Sequence, residues 1–254
     1  MMGATTKIDW CDASWNPVTG CKHDCEYCYA RRMAERFGGV YIKDDDNTFA
    51  VLEEQYRRRD NGAVNPYPYG FMPTFHRYRL DEPTKWKKPK SIFVCSMADL
   101  FGEWVPLEYI LEIFEACRKA PQHRYIFLTK NPVRYESLEN LDKLPNEDNF
   151  WFGSTTDRFT AKIPYFYHKD ANTFISIEPI LERFNIVEED LEGIKWVIVG
   201  AETGNRKGKV IPEKEWIMHI AECCDKTGTA LFMKESLRDI MDSDFRQTFP
   251  WEVE

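Results

Sequence analysis

Six short apolar runs, each bounded by turn residues, constrain the fold of this chain more than any other feature. They lie at Ile92–Cys95, Tyr125–Leu128, Phe150–Gly153, Thr173–Ile177, Trp196–Val199 and Ala230–Met233. Runs that are apolar throughout and rich in β-branched or aromatic residues are typical of parallel strands buried on both faces. Helical patterns lie between several of them, at Leu107–Lys119 and at Glu213–Thr227, where Gly228 follows as a helix stop. The sequence therefore predicts an α/β fold, in a doubly wound sheet or a barrel, with a seventh strand around Ser14–Val18.

The composition is that of a packed globular protein. The chain has 254 residues, of which 43% are hydrophobic and 30% charged, and this balance excludes a disordered or fibrous chain. We expect a single domain over residues 1–254, with an insertion at about 41–90 that lacks a periodic pattern. No apolar run approaches the roughly 20 residues of a membrane helix. Met1–Trp10 has no apolar centre typical of a leader, so a cytoplasmic location is expected.

Polar side chains follow directly after the apolar runs. Because ligands of parallel α/β proteins bind outside the carboxyl ends of the strands, these residues are candidates for one binding site. The alternative is that each is a helix cap or a surface charge where a strand meets solvent. The candidates are Ser96, Asp99, Lys130, Ser154, Thr155, Glu178 and Glu202.

Three of the eight cysteines are clustered in the segment Gly20–Ala30, with the spacing C-x3-C-x2-C. Three thiolates are one fewer than the four ligands of a closed zinc or ordinary iron–sulfur site, so a reactive metal centre would keep an open position. The alternative is a structural zinc ion completed by Cys11, His23 or a distant cysteine. The other four cysteines are better explained as small buried hydrophobic residues, namely Cys95, Cys117, Cys223 and Cys224.

The cluster resembles the C-x3-C-x-Φ-C motif of the radical S-adenosylmethionine superfamily, in which Φ is aromatic, at Cys21, Cys25, Tyr27 and Cys28. More closely, the chain resembles a phage- and prophage-associated family of radical SAM-like proteins of undefined function. The resemblance spans about Ile8 to Glu235. It is carried by the blocks Trp15–Ala30, Ser96–Phe101, Leu128–Lys130, Ser176–Pro179 and Val197–Gly204. This resemblance implies a partial (β/α)6 barrel.

The resemblance also implies the cofactors. A [4Fe–4S] cluster would be held by Cys21, Cys25 and Cys28, with S-adenosylmethionine bound to the fourth iron and Tyr27 near its adenine. Reductive cleavage, which requires an electron donor as partner, would give a 5′-deoxyadenosyl radical that abstracts hydrogen from an unknown substrate. No catalytic residue of the chain itself is assigned.

The remaining cofactor contacts are assigned by position. Ser96 and Asp99 stand in the segment where the superfamily commonly has a Gly-Gly-Glu turn, and could accept hydrogen bonds from the methionine amino group. Lys130 could pair with the methionine carboxylate. Three more groups could contact cofactor or substrate: Ser154 or Thr155, Glu178 and Glu202.

The predicted insertion is basic, although the whole chain has a net charge of −8. Its cations lie at Arg57–Arg59, His76–Arg79 and Lys85–Lys90, among the aromatic residues Tyr67, Tyr69, Phe71 and Phe75. Cations that contact phosphates and rings that stack on bases favour a nucleotide or nucleic-acid partner. The alternatives are a solvated face and a packed loop. The competing function is a zinc-containing nucleic-acid or partner-binding protein without catalysis.

Overall fold

The computed structural model describes residues 6–38, 49–158, 166 and 170–252. Its contacts divide the chain into two compact units, Met1–Pro145 and Asn146–Glu254, so the single domain over 1–254 stays a prediction. Each unit contains its own parallel strands and helices. Within the described ranges, no helix combines the length and apolar character needed to cross a membrane.

The first unit is built on three parallel strands, adjacent in the order β1, β5, β6, with Ala13 opposite Ile92 and Ser91 opposite Arg124. Its described residues form the strands β1 (Ala13–Trp15), β2 (Val18–Thr19), β3 (Ala50–Leu52), β4 (Thr74–His76), β5 (Ser91–Val94) and β6 (Arg124–Thr129). The helices are α1 (Tyr29–Phe37), α2 (Leu107–Arg118) and α3 (Val133–Asn140). Helix α2 connects β5 to β6, which is the predicted strand, helix, strand unit.

A second, three-stranded sheet lies in the same unit, in the order β2, β4, β3. Strand β4 is antiparallel to β2 and parallel to β3. The prediction of one strand around Ser14–Val18 is therefore wrong in one respect, because this segment contributes to two strands in different sheets. Asn16 and Pro17 separate β1 from β2, and a proline cannot donate the N–H that would continue the ladder.

Two residues of the predicted basic surface, His76 and Arg79, are instead buried. The Arg79 guanidinium donates to the carbonyl oxygens of Asn16 at 2.8 Å and Pro66 at 3.4 Å. In return, Trp15 Nε1 donates to the Arg79 carbonyl oxygen at 2.9 Å. Burial, together with the charge of Arg79, lowers the pKa of His76 well below its usual range. These side chains stabilise the fold and are not available to phosphates.

The other cations of the predicted surface lie in two separate places. Lys85–Lys90 comes directly before β5, and Arg124 N donates to Lys90 O at 2.8 Å, so this run lies at the amino end of the strands. Arg57–Arg59 instead lies beside the end of α1, because the Arg58 guanidinium donates to the carbonyl oxygen of Phe37 at 3.2 Å. The two groups therefore cannot be treated as one surface.

The second unit is built on four parallel strands in the order β7, β8, β9, β10. They are β7 (Phe150–Thr156), β8 (Asn172–Ile177), β9 (Trp196–Val199) and β10 (Ala230–Met233), with the helices α4 (Lys214–Thr227) and α5 (Arg238–Met241). Ile175, Val197 and Leu231 are opposite one another in register, and belong to the hydrophobic core that includes Ile217 of α4. Gly228 ends α4 with a φ of +70°, as predicted.

The mixed α/β prediction is confirmed, and all six apolar runs lie in strands except for Cys95, which is in the turn after β5. The two predicted helices are found as α2 and α4. The expected burial is also confirmed for Cys95, Cys117, Cys223 and Cys224. The connection from β8 to β9 departs from the expected pattern, since a short 3-10 helix at Glu188–Leu191 occupies it.

Replacing Arg79 by Ala should destabilise the protein by about 2–4 kcal/mol, because buried carbonyl groups would lose a charged donor. Urea unfolding followed by tryptophan fluorescence measures this change. Arg59→Ala is the matched control, since Arg59 is exposed, and we expect a change within about 0.5 kcal/mol. Equal effects of the two substitutions would show that Arg79 is not a structural residue.

Candidate functional site

The three clustered cysteines lie in a loop that leaves the end of β2 and leads into α1. Gly20 begins the loop and donates its N–H to Met97 O at 2.9 Å, forming a bridge beside Ala98. Cys28 ends it as the N-cap of α1, and its Sγ accepts a hydrogen bond from Arg31 N at 3.3 Å. The loop is therefore anchored both to the polar segment after β5 and to a helix.

Only glycine fits at position 20, both because of its backbone conformation and because of the atoms around it. Its φ is +87°, in the region that favours glycine. A Cβ at this position would lie 2.3 Å from the carbonyl oxygen of Met72 and 2.6 Å from that of Phe71. The backbone at Gly20 thus lies closer to the backbone of Phe71 and Met72 than a residue with a Cβ would permit. This close contact fixes the position of the next residue, Cys21.

The thiols of Cys21, Cys25 and Cys28 are partly buried, and none forms a disulfide. The pKa of Cys21 is raised to about 12, first by burial and then by the negative charges of Asp99, Cys25 and Cys28. Cys25 and Cys28 are thus close enough to Cys21 for their negative charge to oppose its ionisation. A bound metal centre would relieve that repulsion.

The chemistry of this donor set fits an iron–sulfur cluster. Within the part of the chain that the structure describes, no group of three or more His, Cys, Asp or Glu side chains converges on a single ion. A cluster does not require such convergence, because each cysteine ligates a different iron. Of the ligands considered for zinc, Cys11 precedes β1 at the end opposite the loop, and His23 Nε2 is hydrogen-bonded to Asp99.

Asp99 joins the cysteine loop to the ends of two strands. Its Oδ1 accepts hydrogen bonds from Phe101 N at 3.0 Å and from Thr129 Oγ1 at 2.7 Å. Its Oδ2 accepts from Lys130 N at 2.9 Å and from His23 Nε2 at 2.7 Å. The carboxylate is 7% exposed, and these four donors occupy all its lone-pair sites.

Asp99 consequently has no open acceptor for the amino group that the family resemblance assigns to it. Its role in this structure is to hold His23, and with it the cysteine loop, against the ends of β5 and β6. The predicted set of cofactor residues did not include His23 or Thr129. Their positions in the sequence could have identified them as site residues, because Thr129 directly follows an apolar run and His23 lies between two clustered cysteines.

Ser96 lies beside the same loop and is held by a residue that the sequence prediction missed. Its Oγ donates to Asn16 Oδ1 at 3.2 Å, and Met97 N donates to the same oxygen at 2.9 Å. Tyr29 OH, at the start of α1, donates to Ser96 O at 2.7 Å. Asn16 directly follows β1, which is the same strand-end position that identified the other candidates.

Tyr27 and Lys130 are brought together. Lys130 Nζ lies 5.7 Å from the centroid of the Tyr27 ring, and the backbone of Lys130 is bonded to Asp99. The pair combines an aromatic face with a positive charge, which suits a ring and a carboxylate of one ligand. The structure thus groups Tyr27, Lys130, Asp99 and Ser96 around the cysteine loop.

In the second unit, Ser154 and Thr155 lie on opposite faces of the sheet. Ser154 is opposite Ile175, and Thr155 is opposite Ser176. Directly opposed residues share a face, so Ser154 lies on the face that belongs to the core under α4. Its hydroxyl is buried, with no hydrogen-bond partner among the described residues. One ligand on one face of this sheet can therefore contact only one of the two.

Glu178 forms an ion pair with Lys234 where β8 and β10 end. Ser176 Oγ donates to the other carboxylate oxygen, Glu178 Oε2, at 3.1 Å. Gly200, at the end of β9, makes room for this pair, since a Cβ there would lie 2.8 Å from Glu178 Oε1 and 2.9 Å from Lys234 Cδ. A charged pair is thus packed over a glycine at the carboxyl end of the strands.

Glu202 is 3% exposed and is fully paired within its own loop. Arg206 Nε and Nη2 donate to its two oxygens at 2.7 Å and 2.8 Å. These hydrogen bonds lower the pKa of Glu202, although burial acts in the opposite direction. This predicted site residue therefore has a structural partner in the described structure.

The fold is similar to that of two solved structures of spore photoproduct lyase. A cysteine-to-serine mutant of that protein is 12% identical, with a TM-score of 0.53, over 92% of this chain and 81% of that chain. Its complex with a dinucleoside spore photoproduct is 11% identical, with a TM-score of 0.51, over 85% of this chain and 75% of that chain. At these identities the likeness shows the mixed α/β fold alone.

A family model described as "Protein of unknown function (DUF5131)" matches residues 5–238, and the chain belongs to this family. The match includes every predicted site residue. No curated protein matches the chain. The narrower resemblance to phage-associated proteins stays a prediction.

Replacing Asp99 by Asn should lower the free energy of unfolding by about 2–4 kcal/mol, because an amide has fewer acceptor sites for four buried donors. Native-state alkylation of Cys21, followed by mass spectrometry, should become several-fold faster as the loop loosens. The matched control is Asp81→Asn, since the Asp81 carboxylate is mostly exposed. An Asp99→Asn variant with unchanged stability and unchanged Cys21 alkylation would contradict this role.

The Glu202–Arg206 pair should make stability depend on pH. Because the pKa of Glu202 is lowered in the folded state, the pair stabilises the protein above the ordinary carboxyl pKa of about 4.3. That contribution is lost as pH falls through the lowered value. Glu202→Gln should therefore cost about 1 kcal/mol at pH 7 and less below pH 4, as measured by urea unfolding. The exposed Glu189→Gln is the control, and a cost that is independent of pH argues against the pair.

Proposed function

We propose that this chain is a radical S-adenosylmethionine enzyme in which Cys21, Cys25 and Cys28 hold a [4Fe–4S] cluster. The observation that carries the proposal is the loop, which presents three neighbouring thiols and no fourth cysteine. Three protein ligands leave one iron open to a cofactor. The fold supports this proposal, because it is similar to that of spore photoproduct lyase, a radical SAM enzyme.

A [4Fe–4S] cluster with S-adenosylmethionine supplies one-electron reductive cleavage of that cofactor, which leads to hydrogen abstraction from a substrate. The chain itself provides position and charge. Asp99 and His23 hold the loop. Tyr27 offers a face for the adenine, and the Lys130 ammonium pairs with the methionine carboxylate.

The remaining predicted contacts are part of the same proposal. Ser96 retains acceptor capacity for a cofactor amino group, because its hydroxyl donates to Asn16. Three further groups stay predicted contacts of cofactor or substrate, namely Ser154 or Thr155, Glu178 and Glu202. We include in the proposal the partial (β/α)6 barrel, the single domain with its insertion at 41–90, and a cytoplasmic location.

Anaerobic reconstitution tests the cluster directly. The protein should bind about four irons and four sulfides per chain, and after dithionite reduction it should release 5′-deoxyadenosine from S-adenosylmethionine. Cys21→Ala, Cys25→Ala and Cys28→Ala should each abolish the release. Cys117→Ala is the matched control, since Cys117 is buried in α2, and it should retain both iron and cleavage.

Two outcomes would overturn the proposal. Stoichiometric zinc without sulfide would favour the competing zinc-containing binding protein. A fully loaded, reduced protein that neither binds nor cleaves S-adenosylmethionine would show that the cluster does not perform this chemistry.

A further inference from the structure

Arg31 carries a buried hydrogen-bond donor that has no partner among the residues that the structure describes. Its Nε atom is covered from solvent, although the side chain as a whole is 33% exposed. A buried N–H group without an acceptor carries a desolvation cost, and such groups are rare in folded proteins. The guanidinium cannot escape this cost by losing a proton, because arginine stays charged in proteins. The donor is therefore suited to an acceptor from outside the chain.

The other contacts of Arg31 place this donor beside the cysteine loop. Arg31 N donates to Cys28 Sγ at 3.3 Å, and Arg31 Nη2 pairs with Asp24 Oδ1 at 3.0 Å. Side chains of an α-helix tilt toward its N-terminus, which in α1 is the end that joins the loop. Arg31 is thus bonded to both ends of the segment 24–28, and this segment includes Cys25 and Cys28.

The Arg31 side chain is fixed in this position by packing. Its guanidinium carbon lies 5.0 Å from the centroid of the Phe71 ring. Phe71 in turn packs against the buried cluster that includes Ala30 and Ala34 of α1, and Cys28 packs against the same cluster. Since the side chain is already ordered, pairing Nε with an acceptor would cost little further conformational entropy.

We infer that Arg31 Nε donates a hydrogen bond to a sulfur of the metal centre held by Cys21, Cys25 and Cys28. Sulfurs bound to a metal ion carry negative charge, and a charged N–H group is a strong donor to such an acceptor. Burial raises the pKa of the Cys21 thiol to about 12, so this sulfur becomes a full acceptor only when a metal ion binds it as a thiolate. Arg31 is accordingly a positioning residue for the centre.

For an iron–sulfur cluster, this hydrogen bond would set the reduction potential. Hydrogen bonds to the sulfurs are one of the determinants of that potential. The reduced cluster is the more negative form, so the Arg31 donor stabilises it and raises the potential. The effect on the potential rests on the proposed function, whereas a hydrogen bond to a metal-bound cysteine does not.

Arg31→Lys tests the inference, because lysine keeps the positive charge but has no N–H at the position of Nε. An EPR redox titration of the reconstituted protein, without S-adenosylmethionine, measures the potential. At one solution potential, the ratio of reduced to oxidised cluster should fall about tenfold, which is about 59 mV for one electron. Arg36→Lys is the matched control, since Arg36 is exposed in the last turn of α1, and it should match the parent.

Two further measurements separate a hydrogen bond from a role in packing alone. Pulsed EPR of the reduced cluster in D₂O should show an exchangeable deuteron coupled to the cluster in the parent and a weaker coupling in Arg31→Lys. A chelator should also remove iron several-fold faster from Arg31→Lys than from the parent. A packing role would leave the deuteron coupling unchanged, and that result would overturn the inference.

Equal potentials of Arg31→Lys and the parent would also overturn the inference, and so would the same decrease in Arg36→Lys. If the parent binds zinc in place of a cluster, the proposed function fails, and the rates of zinc release to the chelator decide the inference by the same comparison. A loaded parent that depends on Arg31 but does not cleave S-adenosylmethionine overturns the proposed function alone. A parent that binds neither metal overturns both.

Discussion

The first unit depends on one carboxylate whose hydrogen bonds are complete. Asp99 is bonded to the end of β6, to the turn after β5 and to His23 in the cysteine loop. A buried carboxylate with four donors is stable only while all four remain in place, because each unpaired group would carry a desolvation cost. The position of the cysteine loop therefore depends on the geometry of the ends of β5 and β6, and a change in one would change the other.

The strands were predictable from the sequence, whereas the contacts between loops were not. Runs such as Trp196–Val199 are apolar at every position, and this pattern depends only on neighbouring residues. The bond between His23 and Asp99 joins residues that are 76 positions apart. Nothing in local composition specifies such a pair, so the sequence identified Asp99 by its position after a strand but not the four groups that are bonded to it.

The cations between Tyr56 and Lys90 also show that local sequence does not determine tertiary contacts. A count of cations between Tyr56 and Lys90 gives the local charge but no direction for any side chain. Arg79 lies inside and bonds to carbonyl oxygens, while Arg58 lies outside at the end of α1. The distinction arises from tertiary packing. The run of cations in the sequence therefore does not form one basic surface in the structure.

The Sγ atom of Cys28 has two roles. Its sulfur caps the first turn of α1, and the same sulfur is a proposed ligand. Oxidation to a sulfinic or sulfonic acid would end the second role and alter the first, because the oxidised group differs in charge and size from a thiolate. Damage to one sulfur would thus affect both the cysteine loop and the first turn of α1. The start of a helix is thereby made sensitive to oxygen.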